Sequence, residues 1–255
     1  MKYTRLFTFG CSFTSFLWPT WADIIAYDLD IPYENWGMAG MGNVGIATRM
    51  LECDLKNNFT ENDLILVCWS SFHREDRVMS DGFWHLGGNI FNDYKFFGKK
   101  WLKKYWTENN DIVKNCTAII SSNKMFNIPF QSYMTDYEGA AFQEDPSSPN
   151  YNFQEYDYYL NSMPDPRIVF DDGRINKTGF DKTVIDNHPD IQTHLTHSQL
   201  TLKHMGMEIK NETILKYKGL QNRITDDIKK KSLNGVLTSF NEIDDFFRVY
   251  NWEGT

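Results

Sequence analysis

A chain of 255 residues with 41% hydrophobic and 16% aromatic residues can bury a substantial core, which excludes an intrinsically disordered protein. No window holds the roughly 18 uninterrupted apolar residues of a membrane span, and the N-terminus lacks a charged-then-apolar leader, so no membrane partner and a cytoplasmic location are expected, with a viral or assembly-associated one left open. The net charge is −8, and residues 136–172 carry nine Asp or Glu against a single base, Arg167, so a phosphate-backbone partner, which needs clustered Lys and Arg, is not expected.

From the N-terminus, the apolar run Leu6 to Phe9 predicts a strand that ends at Gly10. Trp21, Ile24, Ile25 and Leu29 recur at helical spacing behind Pro19, a residue suited to a first helical turn. Tyr33 to Trp36 reads as a second strand ahead of a glycine-rich turn, and Val44, Ala47, Leu51 and Leu55 mark a second helix. Asp63 to Trp69 is continuously apolar after its first residue, the pattern of a strand buried on both faces of a parallel sheet. Three strands with two intervening helices imply an α/β fold with right-handed crossovers.

Residues 81–106 interleave aromatic residues with lysines. Phe97, Trp101 and Tyr105, at steps of four, predict an amphipathic helix that buries one stripe and solvates its lysines. Ile112 to Ser121 predicts a further helix and Ile128 to Met134 a fourth strand with Pro129 near its start. The acidic stretch 136–172, broken by four prolines, reads as a long loop or lid. Beyond it, Pro189 opens a helix whose face carries Ile191, Leu195, Leu202 and Met205 and which stops at Gly206; Ile214 to Ile228 is one more amphipathic segment. The cysteines Cys11, Cys53, Cys68 and Cys116 show no CxxC pairing and predict buried, reduced thiols.

Three stretches suggest chemistry. Ser12 follows a strand and a glycine, so it stands at the carboxyl end of a parallel strand, where open α/β sheets hold ligands; the other reading makes Ser12 or Thr14 a helix cap. Gly37, Gly40 and Gly42 form a turn whose backbone can approach an oxyanion closely, but no complete phosphate-binding glycine motif is present. In an extended Asp186-Asn187-His188 the first and third side chains share a side, so Asp186 can orient His188 as a general base; the other reading has His188 capping the helix begun by Pro189. His194 and His197, three apart on one helix, lack the accompanying ligands of a metal site, so no metal and no cofactor are expected. His73 and Arg74, just beyond the third strand, are candidates for substrate binding, and Arg74 alternatively pairs with Glu75.

Taken together these stretches resemble the SGNH (GDSL-like) hydrolase superfamily. Gly10-Cys11-Ser12-Phe13-Thr14 matches its first block, with Cys11 in place of the usual acid; Asn35 to Gly40 matches the second, and Asp186 to Pro189 the last. The resemblance implies a three-layer α/β/α sandwich with a flavodoxin-like parallel sheet, a long insertion between strands 3 and 5, and a helical C-terminal extension. It also implies a serine esterase removing acyl or acetyl groups from a carbohydrate-type ester, with Ser12 as nucleophile, His188 as base, Asp186 as its partner, and Ser12 and Gly40 in the oxyanion hole. The third block departs from the family: Ser71 stands where its Asn is usual and takes that place in the oxyanion hole. The match covers residues 5–75 and about 182–206. One domain over 1–206, with insertions near 76–106 and 136–180, and a helical extension over 207–255 that offers an oligomer or assembly contact, is the expected organisation. The rival reading is a non-catalytic binding or structural protein that keeps this fold.

Overall fold

The structure is a computed structural model that describes residues 3–16, 18–80, 82, 84–90, 98–134, 162, 168–170 and 188–223. Its centre is a five-stranded parallel sheet of β1 (Arg5–Phe9), β2 (Tyr33–Asn35), β3 (Asp63–Trp69), β6 (Phe130–Met134) and β7 (Ile168–Phe170), in the order β2-β1-β3-β6-β7. Every residue of β3 is buried, as its unbroken apolar run requires, and burial of Leu64, Ile65, Leu66 and Val67 stabilises the fold by about 1.5–3 kcal/mol each. The strand order is that of flavodoxin-like sheets: the chain steps from β1 out to β2, then crosses back past β1 to β3 and onward. Right-handed crossovers therefore place α1 (Trp21–Leu29) on one face and α2 (Asn43–Asn57) and α4 (Glu108–Phe126) on the other. Helix α5 (Ile191–His204) packs on α1, and α2 packs on α4, which completes three layers.

Local sequence explains the elements. Helix α1 starts at Thr20, where the Asp23 carboxylate accepts from the Thr20 backbone N–H at 2.8 Å, and α4 starts at Thr107, whose hydroxyl accepts from the Asn110 N–H at 3.2 Å. In α5 the expected face holds: Ile191, Leu195 and Leu202 are fully buried and Gly206 ends the helix at φ +75. In α2 the helix forms where expected but rotates away from the leucines. Ile46, Met50 and Cys53 are buried, whereas Leu51 is 41% and Leu55 79% exposed. Helix 211–223 docks on α1, with Thr213 Oγ1 and the Lys210 N–H donating to Asp28 Oδ1 at 2.7 and 2.8 Å.

Two expectations are corrected. Residues 81–106 do not form one amphipathic helix. A hairpin of β4 (Arg74–Val78) and β5 (Trp84–Asn89) follows β3, and the helix that comes next, α3 (Lys99–Tyr105), buries none of its residues. It faces the hairpin rather than the sheet, with Arg77 above the Trp101 ring at 5.2 Å, so there is no core for a stripe to enter; Phe97 lies outside the described residues. The stretch 136–172, expected to be loop, contains β7, which pairs with β6 as the edge strand. The four cysteines are buried and unbridged, and among the described residues no helix is long and apolar enough to cross a membrane.

Candidate active site

The strand order reverses at β1, and the loops after β1, β2 and β3 meet at the carboxyl ends of these strands, the place where open parallel sheets bind ligands. Ser12 lies in the first of them. Gly10 lets this turn form against β3, because a Cβ there would sit 2.1 Å from Thr14 Oγ1 and 2.9 Å from the Cys68 carbonyl oxygen. The turn is closed by Thr14 and Ser15 N–H groups donating to the Cys11 carbonyl at 2.9 and 3.1 Å. Neither Ser12 nor Thr14 caps α1, since Thr20 does so; the cap reading of Ser12 is overturned by the helix starting at Trp21.

The glycine turn after β2 is tied to the Ser12 turn. The Met38 N–H donates to the Gly10 carbonyl at 3.0 Å, and Asn35 spans both segments, donating from Nδ2 to the Thr14 carbonyl at 2.8 Å and accepting from the Gly37 N–H at 2.9 Å. Gly40 sits at φ +80 in a turn closed from Met41 N–H to the Met38 carbonyl, the left-handed position that such turns reserve for glycine. Among the described residues, the backbone N–H groups of Ser12 and Gly40 make no hydrogen bond, so both can be offered to a ligand oxygen.

The loop after β3 is held from beneath. The buried Asn43 side chain accepts from the Ser70 N–H at 2.7 Å and donates to the Ser70 carbonyl and to Asn115 Oδ1, each at 2.9 Å, while Asn115 donates to the Phe72 carbonyl at 3.0 Å. Ser71 follows this clamp. Its hydroxyl accepts from the His73 N–H at 3.3 Å, which leaves the hydroxyl proton to donate elsewhere.

His188 comes from 176 residues further along the chain than Ser12, yet it lies against the Ser12 loop. Its ring stacks on Phe16 at 3.8 Å and 20° and meets Phe13 edge-on at 5.9 Å. The neighbouring Pro189 carbonyl accepts from the buried Trp18 indole at 2.9 Å, which locks the two segments together. His188 does not cap α5; Asp190 does, accepting from the Thr193 N–H at 2.7 Å. Asp186 and Asn187 lie outside the described residues.

Arg74 does not pair with Glu75. Its guanidinium donates to the Met41 carbonyl at 3.1 Å, bracing the glycine turn, while Glu75 pairs with Lys114 and, at 3.3 Å, with Arg77. His73 turns to α4, with Nδ1 3.7 Å from Asp111 Oδ2. His194 and His197 are core residues, not a helix-surface pair. Both are buried, His197 edge-on to Trp21 at 5.8 Å and Phe130 at 6.3 Å, and desolvation lowers His194 to about 3 and His197 well below its ordinary value. Among the described residues no group of three or more His, Cys, Asp or Glu can hold a metal.

Sequence reasoning missed Asp76. Its two carboxylate oxygens accept from the Gly42 and Gly45 N–H groups, each at 2.8 Å, so a side chain of β4 caps α2 in place of the residue before the helix. Burial raises this carboxyl and outweighs the two amide bonds that lower it. Asn43 and Asn115 were missed as well; the available signal was an asparagine on an otherwise apolar helix face, such as Asn115 between Ile112 and Ile119.

No protein-family model and no curated protein matches the chain. Solved structures do align with it. A lipolytic protein of the G-D-S-L family from Veillonella parvula DSM 2008 is 13% identical, with 78% of this chain and 97% of that one covered and a TM-score of 0.40. The psychrotrophic esterase EstA from Pseudoalteromonas sp. is 12% identical, with 85% and 99% covered and a TM-score of 0.38. An acetyl-xylooligosaccharide esterase from Geobacillus is 13% identical, with 83% and 100% covered and a TM-score of 0.41. At these values the strand order described above, rather than the likeness, defines the fold.

Proposed function

We propose that this chain is a serine-dependent ester hydrolase that removes acyl or acetyl groups from a carbohydrate-type ester through Ser12, His188 and Asp186. The observation that carries the reading is the convergence, at the reversal point of the sheet, of the Ser12 turn with His188, which is held by Phe13, Phe16 and the Trp18–Pro189 hydrogen bond.

In this mechanism His188 takes the Ser12 proton as Oγ attacks the ester carbonyl, and the carbonyl oxygen becomes an oxyanion. The backbone N–H groups of Ser12 and Gly40 donate to that oxyanion, with the Ser71 hydroxyl as a third donor. Collapse breaks the ester C–O bond, His188 returns the proton to the departing alcohol, and a water deprotonated by His188 then releases the acid and restores Ser12. Asp186 holds the imidazole in the required tautomer. The substrate class is what the resemblance in the three sequence blocks implies.

The test is labelling by a fluorophosphonate probe and turnover of p-nitrophenyl acetate, beside Ser12→Ala and His188→Ala. Both signals should vanish in both variants, with kcat falling on the order of 10⁴-fold or more. A folded wild-type chain that neither labels nor turns over the ester would make it the non-catalytic binding or assembly protein instead.

A further inference from the structure

Beside the loop that carries Ser71, a cleft of about 600 Å³ opens between β4, α3 and the start of α4. One wall is aromatic, formed by Trp101, Tyr105 and Trp106, and Tyr105 is 57% exposed. The rings are held in place. The Trp106 indole N–H donates to Asp111 Oδ2 at 2.8 Å, and the Trp101 ring has the Arg77 guanidinium at 5.2 Å and the Tyr105 ring, tilted to it, at 5.9 Å.

The opposite side is polar, and its charges are mutually satisfied. Glu75 pairs with Lys114 and Arg77, and Lys114 also lies 3.6 Å from Asp111. Two carboxylates against two cations leave little net field to select an ion. What remains is directional: carboxylate oxygens, ammonium and guanidinium protons and the exposed Asn110 amide, facing flat aromatic surfaces. A volume of this size holds a small ligand, and the pairing of stacked faces with many hydrogen-bonding groups fits a ring that presents C–H bonds on its faces and hydroxyls at its rim.

We propose that this cleft binds a neutral carbohydrate, with a sugar ring stacked on Trp101 or Trp106 and its hydroxyls bonded to Glu75 and Asn110. His73 joins the cleft to the candidate active site, since it follows the Ser71 loop and its ring lies 6.4 Å from that of Trp106. That the bound sugar is the alcohol part of an ester presented to Ser12 rests on the hydrolase reading; the binding itself does not.

The experiment uses the full chain carrying Ser12→Ala, so that failure of the catalytic reading leaves it intact. Cellohexaose, xylohexaose and chitohexaose are titrated against tryptophan fluorescence and by calorimetry. The expected result is saturable binding of at least one, with a dissociation constant of about 1 mM or tighter, unchanged on raising NaCl to about 0.5 M. Trp101→Ala should weaken it about tenfold; this residue lies on a helix with no buried residue, so the variant folds, as circular dichroism will verify. Trp106→Phe, which keeps the ring but loses the bond to Asp111, should weaken it less than Trp106→Ala. No saturable binding of any of the three, binding that both alanine variants leave intact, or binding that salt abolishes would overturn the proposal.

Discussion

At the amino end of the sheet Arg5 and Asp63 satisfy each other, with Nε to Oδ1 and Nη2 to Oδ2 both at 2.7 Å across β1 and β3. At the carboxyl end Asn35, Asn43, Arg74 and Asp76 instead spend their hydrogen bonds on the backbone of the loops that carry Ser12, Gly40 and Ser71. The first arrangement staples two strands and leaves little polar capacity over. The second fixes loop backbones while, among the described residues, leaving the N–H groups of Ser12 and Gly40 unspent, which is what a site that must bind something requires.

Substitutions at the two ends should therefore separate stability from activity. Asn43→Ala should have the largest effect, because it orphans the Ser70 N–H, the Ser70 carbonyl and the Asn115 side-chain oxygen in a buried site; about 3 kcal/mol of destabilisation is expected in urea unfolding, with loss of the proposed esterase turnover.

Acid should destabilise the chain through the core histidines His194 and His197. His194 and His197 stay neutral when folded but take a proton when unfolded, so the unfolded state binds more protons at low pH. Stability is present above the ordinary histidine value of about 6.5 and falls as pH drops below it, down to about 3 for His194, by up to about 1.4 kcal/mol per pH unit for each histidine. Urea midpoints measured across that window should show the slope, and His197→Phe, which suits the Trp21 and Phe130 rings, should reduce it by roughly half.

Asp76→Ala uncaps α2 and should cost about 1–2 kcal/mol. Its sharper signature is kinetic: the loosened glycine turn should lower kcat on the order of 10²-fold with a smaller change in KM. An activity loss no greater than the stability loss explains would remove Asp76 from the positioning role.

Arg5→Lys is the smallest change. It keeps the charge but loses the two-pronged geometry, so about 1 kcal/mol or less and unchanged turnover are expected. Burial alone would raise the Asp63 carboxyl, yet the Arg5 and Thr60 bonds hold it below its ordinary value. Its contribution is thus present above about pH 4 and is lost as pH falls through the lower folded value, an acid window that lies below the start of the histidine one.

The order of strands and helices through β3 was readable because each element announces itself in neighbouring residues: an apolar run for β3, a four-residue recurrence for α1, glycine where the chain must turn. Ser12, Gly40 and His188 stood out as candidates for the same reason, each sitting at the end of such an element. What faces the core was not always readable. Both Leu55 and Met50 fit a helix, and only the position of the sheet decides that Met50 is buried and Leu55 is not. The stripe expected in α3 failed in the same way, for want of a surface to cover it.

The groups that hold the candidate site together belong wholly to the tertiary structure. Asn43 acts on Ser70, 27 residues away, and on Asn115, 72 away, and Asp76 caps α2 through Gly42, 34 residues before it. Hydrogen-bonding capacity is a property of each residue and is written in the sequence. Which backbone group uses it depends on which loops the parallel crossovers bring to the same end of the sheet. The sequence by itself determined the α/β alternation and named Ser12 and His188 as candidates; the packing of His188 against Phe13 and Phe16 of the Ser12 loop, and the clamps on the neighbouring loops, were decided by the fold.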